Sequence, residues 1–430
     1  MNWLRYTIIS VLILVGGDAF SQEIGRPVFK DGDRVCFVGN SITNNAQFYH
    51  FINLYYATRY PDQKVTFYNC GISGDVTQGI LNRMEKDILV HNPTWSALMI
   101  GMNDVRRNLY SKSSENENGI AQKREEALEL YRRNLEIIVQ ELTRDGKKLI
   151  LQKPSIYDQT ACMPEENLFG VNDALKKCAD YTQILADKYK LPVVDYWGIL
   201  SNVNELVQKK DSSATIIGKD RVHPGAPGHL IMAYEFLKST GADEYVSKMV
   251  VRRKLKVQDS QSINCTIRNV DFNKGCIKFE ALEKSLPFPV SEEAKAALSL
   301  VPFTNSFNKE ILQVEDIPVG NYQLLIDSAE IGVYSSTALK KGINLALEQN
   351  TPQYRQAVEI MNLFARYRET QARYRSIVSV ELNHLPDSLK NAPFKNKEIY
   401  LNQYLERKFK GAPNYNYYAG LFKSYIINKP

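Results

Sequence analysis

Beyond its first 21 residues the 430-residue sequence has no apolar run near the ~20 residues that a membrane-spanning helix needs, which argues against a polytopic membrane protein. Cysteine is scarce: the six present form no CxxC pair, and no cluster of the five histidines has zinc spacing. A disulfide-built scaffold and a metal centre are both disfavoured. Neither sign of charge dominates, since 54 Lys and Arg against 48 Asp and Glu leave a net +6, too mild an excess to indicate a nucleic-acid partner. That excess is local. Lys340 to Pro430 carries 15 basic and 7 acidic residues, and the rest of the chain is close to neutral. With 44% hydrophobic and 24% charged residues the composition is that of a packed globular protein, and the length suits two or three domains.

The exception at the N-terminus reads as an address. Met1 to Arg5 supply a charged start, Tyr6 to Gly17 an apolar stretch too short to span a bilayer comfortably, and Ala19-Phe20-Ser21 the small residues of a cleavage site. Residues 1–21 are therefore expected to be a signal peptide, the chain to be exported to the periplasm or beyond, and the mature protein to have no stable membrane insertion. In such a compartment Cys162 with Cys178, and Cys265 with Cys276, are locally plausible disulfides, whereas Cys36 and Cys70 lie in apolar strands and read as buried thiols.

From residue 34 short, nearly continuous hydrophobic runs alternate with longer periodic stretches. The runs at 34–39, 64–71, 94–101, 147–155 and 191–196 read as parallel strands covered on both faces, and Ala46–Arg59, Thr77–His91, Glu125–Arg144 and Val171–Tyr189 as crossover helices. This predicts an α/β domain of three layers, α/β/α, over residues 22–247. Right-handed crossovers put every strand C-terminus on one edge, where ligands bind. Residues 248–335 carry β-type segments without alternating helices, and residues 336–430 turn helical, most clearly over Tyr354–Tyr374. The polar piece Ser111–Asn118 follows the third strand, so it lies at the expected ligand edge.

Chemistry-bearing residues follow the strands. The first ends in Gly39-Asn40-Ser41-Ile42-Thr43, a serine on a tight turn that by itself reads more readily as a helix N-cap than as a nucleophile. The second leads to Gly74, which can bring its N–H close to a bound carbonyl oxygen or simply satisfy a turn. The third leads to Asn103, an amide at the same edge or an Asx-turn. The most informative segment is Asp220-Arg221-Val222-His223-Pro224. An aspartate three residues before a histidine can accept from one ring nitrogen, fix the tautomer and leave the other nitrogen free as a base. His50, His91, His229 and His384 have no such company and read as structural.

Taken in order and spacing, the blocks at Ser41, Gly74, Asn103 and Asp220/His223 resemble those of the SGNH hydrolases, the GDSL esterase/lipase family, over roughly residues 33–245. The resemblance implies a flavodoxin-like parallel sheet and a secreted serine esterase without metal or cofactor. Ser41 is then the nucleophile, and His223 the base oriented by Asp220. The oxyanion hole is made by the Ser41 and Gly74 N–H groups with the Asn103 side chain. Asn40 stands where the family name implies aspartate, at a position that is not catalytic. The absence of a GxSxG elbow argues against the α/β-hydrolase fold. Many secreted members are carbohydrate acetylesterases, so the expected substrate is an O-acetylated glycan or polysaccharide. A lysophospholipase or short-chain acyl esterase is the alternative within the enzyme class, and a non-catalytic glycan-binding protein the alternative outside it. The segments at 318–328 and 338–347 look like an appendage of some exported family members. The basic, aromatic tail from Tyr415 to Tyr425 reads as a packed surface helix or a contact for acidic glycans.

Overall fold

The structure, a computed structural model, describes residues 28–253, 262–273, 275–390 and 392–409. The expected signal peptide and the aromatic tail lie outside the described residues.

Strand β1 (Arg34–Gly39) leads into the short helix α1 (Ser41–Asn45) and then α2 (Gln47–Arg59). There follow β2 (Thr66–Gly71), α3 (Thr77–Arg83), β3 (Trp95–Met99), α4 (Ile120–Thr143), β4 (Lys148–Gln152), α5 (Val171–Tyr189), β5 (Val193–Val194), α6 (Tyr196–Gln208) and α7 (Ala226–Ser239). The five strands form one parallel sheet in the order β2-β1-β3-β4-β5. Alternation along each strand splits the core in two. Val35 and Phe37 of β1, with Trp95, Ala97 and Met99 of β3, face a layer built from α2, α6 and α7. Cys36, Val38 and Leu98 face the layer of α3, α4 and α5. The expected three-layer α/β/α architecture with its flavodoxin-like strand order is therefore present. That order reverses between β1 and β3, and the crevice beyond such a switch point is where doubly wound sheets bind ligands.

Two expectations inside this domain are corrected. The stretch Thr77–His91 is not one helix: α3 ends at Arg83 and passes through a π turn at Met84–Ile88 and a 3-10 turn at Leu89–His91. The fifth strand shrinks to two residues because Asp195 caps α6, its side chain accepting from the Gly198 N–H at 2.8 Å.

Past α7 the chain makes β6 (Tyr245–Val251), the hairpin β7 (Cys265–Asn273) and β8 (Cys276–Glu283), α8 (Phe303–Phe307), β9 (Lys309–Val314) and the hairpin β10 (Asn321–Ile326) and β11 (Ala329–Ser335). It ends in α9 (Ser336–Lys341), β12 (Ile343–Asn344), α10 (Pro352–His384), α11 (Asp387–Lys390) and α12 (Phe394–Phe409). A second sheet runs β12-β9-β6, with β6 parallel and β12 antiparallel to β9. The boundary expected at 247 thus falls inside β6. The segment between β8 and β9 returns to the first domain, placing Phe288, Val301, Phe303 and Phe307 in the core above α2 and α7. Ile360, Met361 and Phe364 of α10 pack on the same core. Truncating one such buried phenylalanine typically costs about 3–5 kcal/mol, so these segments are structural partners of the first domain.

All six cysteines are free. Cys178 is buried under the sheet while Cys162 is exposed, and Cys265 and Cys276 stand at opposite ends of the β7/β8 ladder, opposite Glu283 and Asn273. Neither plausible disulfide forms. Cys36 and Cys70 are buried thiols, as read from the sequence.

Candidate active site

The β1 end explains why a serine sits where it does. Asn40 is the N-cap of α1, its Oδ1 accepting from the Ile42 N–H at 3.1 Å, so Ser41 is the first helical residue and its hydroxyl is not used for capping. The turn is tight against its neighbours: a Cβ on Gly39 would lie 2.4 Å from the Met99 carbonyl, and one on Gly71 2.3 Å from the Asn44 N–H nitrogen. The β1 and β2 loops are stitched together, Ile72 N–H donating to the Gly39 carbonyl at 3.0 Å and Asn44 Nδ2 to Ser73 Oγ at 2.9 Å.

The second half of the site comes from residues 216–225, a tight reversal with Ile217 bridged to Pro224 and the Gly218 N–H bonded to the His223 carbonyl at 2.7 Å. Asp220 Oδ1 accepts from the Val222 and His223 N–H groups at 3.1 and 3.0 Å, while its Oδ2 accepts from His223 Nδ1. The other ring nitrogen, Nε2, lies 2.7 Å from Ser41 Oγ across 182 residues of sequence. Burial works against the Asp220 charge, but these hydrogen bonds outweigh it and hold the carboxyl below its ordinary range. The His223 and Asp220 side chains remain 44% and 52% exposed, so the serine–histidine–aspartate chain opens directly to solvent.

Asn103 reaches the loop that carries Gly74. Asn103 Nδ2 donates to the Asp75 carbonyl at 2.9 Å, and its Oδ1 accepts from Arg107 Nη2 at 3.4 Å, which orients the amide against the residue that follows Gly74. Glycine at 74 is required by a φ of +81°, a left-handed conformation, and nothing lies within 4 Å of where a Cβ would stand. The turn conformation, not a close neighbour, explains that glycine.

Sequence reasoning passed over residues that build the site from behind. Arg221, 2% exposed and itself left-handed at φ +62°, donates to the carbonyls of Asp158, Ala161, Met163 and Glu165 and so ties the segment after β4 to the Asp220/His223 turn. Its place inside the Asp-Arg-Val-His run was the only signal. Arg83, Asp75 and Asp87 are buried and ion-paired below the same edge. Ser111–Asn118 follows a 3-10 turn at Arg107–Tyr110 and folds onto it, Ser111 and Ser114 hydroxyls donating to the Asn108 carbonyl at 3.0 and 2.8 Å. His50 and His229 are buried, and burial lowers them to about 4 and about 3, so both are neutral structural imidazoles.

Comparison with known proteins gives this geometry its context. Residues 37–231 match the family model for GDSL-like lipase/acylhydrolases. An acetylxylan esterase of Geobacillus stearothermophilus is 26% identical over 227 residues, 49% of this chain and 94% of the relative. The solved structure of a gut microbial diltiazem-metabolizing enzyme superposes with a TM-score of 0.81 at 29% identity, covering 93% of this chain and 90% of that one, so the likeness extends through the C-terminal half. A serine–histidine–aspartate chain on the ligand edge of this sheet, inside the segment 37–231 that matches the GDSL-like lipase/acylhydrolase domain, makes the chain a carboxylic ester hydrolase.

Proposed function

We propose that the protein is an exported acetylesterase in which Ser41 is the nucleophile, His223 the general base and Asp220 its orienting partner, acting on O-acetyl groups of a glycan or of a small acetylated alcohol. The observation that carries this reading is the 2.7 Å approach of Ser41 Oγ to His223 Nε2, with Asp220 on the opposite ring nitrogen. Asp220 keeps the Nδ1–H tautomer, which leaves Nε2 to take the serine proton as Oγ attacks the acyl carbon. The Ser41 and Gly74 N–H groups and the Asn103 amide supply the donors for the oxygen on which charge develops. Collapse breaks the bond to the alcohol, His223 returns the proton to the leaving oxygen, and water then releases the acetyl group by the same steps in reverse order.

The exposure of His223 and Asp220 favours a short acyl group presented by a bulky alcohol, because a long chain needs an apolar trench to bury its ~0.8 kcal/mol per methylene. The acetylxylan-esterase and diltiazem-metabolizing relatives support the same choice, since acetylated xylan and diltiazem both carry acetate esters. The apolar, cleavable character of residues 1–21 supports export.

Acetate release from acetylated xylan, diltiazem and 4-nitrophenyl acetate, compared with hydrolysis of octanoyl esters, tests the reading. Acetate esters should be turned over and Ser41→Ala should lose about 10³-fold or more in kcat. A steep preference for octanoyl esters moves the assignment to a lysophospholipase-type acyl esterase, and wild-type turnover by Ser41→Ala removes it.

A further inference from the structure

Below the strand ends that carry Ser41 and Gly74 lies a ladder of alternating buried charges. Arg83 donates from Nε to the Asp75 carboxylate at 2.9 Å and from Nη1 to Asp87 at 2.5 Å, and its Nη2 reaches the carbonyl of Gly39, the last residue of β1, at 3.3 Å. Asp87 accepts two further bonds, at 2.6 and 2.8 Å, from the fork of Arg375 in α10. The remaining Arg375 nitrogen, Nε, donates to the carbonyl of Gly71, the last residue of β2, at 3.1 Å across 304 residues of sequence. None of the four side chains is more than 9% exposed.

Each end of the ladder holds a loop of the site. Gly39 leads into Asn40-Ser41, Gly71 into the loop of Gly74, and the backbone carbonyl of Asp75 is the one that orients the Asn103 amide. The Asp75 carboxylate is wedged against Gly79, where a Cβ would stand 1.8 Å from its Oδ1. Charge-assisted hydrogen bonds to fixed carbonyls are the strong, directional ones, and the bidentate fork of arginine adds geometric specificity that lysine cannot supply. Oxyanion donors act only within about 2.7–3.1 Å of the developing charge, and a misplacement of about 1 Å originating far from the chemistry costs about a hundredfold. Asp75, Arg83 and Asp87 all lie within residues 37–231, whereas Arg375 lies 144 positions beyond that span, in α10.

We infer that Arg375 is a positioning residue of the esterase site: through Asp87, Arg83 and the Gly71 carbonyl it fixes the two loops that present the Ser41 and Gly74 N–H groups. Helix α10 thereby completes the catalytic unit. This rests on the reading of Ser41, Gly74 and Asn103 given above, and the test separates the two.

The experiment uses the full chain, 4-nitrophenyl acetate as substrate, and a fluorophosphonate that labels the reactive serine to count competent sites. Arg375→Lys keeps a positive charge against Asp87 but loses the fork, and Arg375→Met removes the charge as well. Per labelled site, kcat is expected to fall about 5–10-fold in Arg375→Lys and about 30–100-fold in Arg375→Met, with KM within about threefold of wild type. The rate constant of phosphonylation should fall in parallel, because that reaction builds charge on an oxygen in the same hole. Wild-type kcat per labelled site in Arg375→Lys, whatever its thermal midpoint, overturns the inference, as does a loss of activity that only tracks the number of labelled sites. If Arg375→Met does not fold, Arg375→Lys decides alone. Activity in Ser41→Ala would instead remove the underlying site reading, while an inert Ser41→Ala beside a fully active Arg375→Lys removes only the role of Arg375.

Discussion

The buried acids below the Ser41 edge and the buried acid of the second sheet meet the same desolvation with different partners. Asp87 lies between two guanidiniums, and although burial opposes its charge, Arg375 and Arg83 together hold its carboxyl below the ordinary range. Asp75 has burial against it and, besides the Val76 N–H, a single guanidinium, that of Arg83, in its favour, and its carboxyl stays raised. In the second sheet Glu310 is fully buried on β9, and among the described residues no donor reaches either of its carboxyl oxygens. Burial, and then the neighbouring Glu283 carboxylate, push Glu310 well above its ordinary value, with Arg59 only partly opposing them. One guanidinium is not enough to outweigh burial here and two are. At Glu310 no guanidinium is hydrogen-bonded to the carboxyl, and burial prevails.

The sharpest way to break this comparison is to remove the shared carboxylate. Asp87→Ala leaves the Arg83 and Arg375 guanidiniums buried without the group that bridges them, which should cost about 3–5 kcal/mol of stability in denaturant unfolding. Because the same bonds hold the Gly39 and Gly71 carbonyls, turnover of 4-nitrophenyl acetate should fall as well. A cost under about 1 kcal/mol would mean that the ladder is solvated and the contrast with Glu310 is not one of pairing.

This contrast also marks what a sequence can disclose. The Asp220/His223 pair was legible because its geometry is local: three residues of spacing fix a turn in which one carboxylate meets both a backbone N–H and the ring. The sheet was legible because strands buried on both faces leave continuous apolar runs, and Val35-Cys36-Phe37-Val38 feeds both cores. Arg375 was not legible. Its partners lie 288 and 304 positions away, and an arginine in a charged, periodic helix looks like any solvated residue until the helix is docked. Phe288 and Phe303 were hidden for a related reason, since a β-rich neighbourhood gave no sign that the segment between β8 and β9 returns to the first core. The disulfide expectation failed because proximity along the chain says nothing of which face or strand end a cysteine occupies.

The second test acts on the other pole of the comparison. The folded-state value of Glu310 is raised, so the stability it contributes is complete at acid pH, below its ordinary value near 4.5, and is lost as pH rises through the folded-state value. The groups facing it are Glu283, whose oxygens accept from Ser247 and, at 2.7 Å, from Gln353, and Arg59 on α2. Glu310→Gln carries no charge at any pH, and its thermal midpoint should therefore fall less steeply than wild type as pH rises above that ordinary value. The expected gain there is on the order of 1–2 kcal/mol, the scale of an uncompensated buried polar group. Parallel pH profiles for the two proteins would show that Glu310 is not the titrating group.

The smallest effect is expected at Asp104, which stands between the two poles: buried like Glu310, yet partnered, though by neutral donors. Its Oδ1 accepts from the Thr77 N–H and hydroxyl, both at 2.7 Å, at the start of α3, while its Oδ2 has no partner among the described residues. Burial raises the carboxyl and the Thr77 bonds lower it, leaving it at about 6. A raised value means that Asp104 stabilises the fold most below its ordinary 3.8 and that this contribution fades as pH climbs to about 6. Asparagine would keep the acceptor toward Thr77 and place an amide N–H₂ where Oδ2 now goes unpaired, exchanging one unsatisfied group for another of similar cost. Asp104→Asn should thus stay within about 1 kcal/mol of wild type at pH 7 and lose the pH dependence of the thermal midpoint between about 4 and 6. A slope in that window unchanged by the substitution would place the titration elsewhere and leave Asp104 ionised throughout, which would mean that two neutral donors can offset burial as well as two guanidiniums do at Asp87.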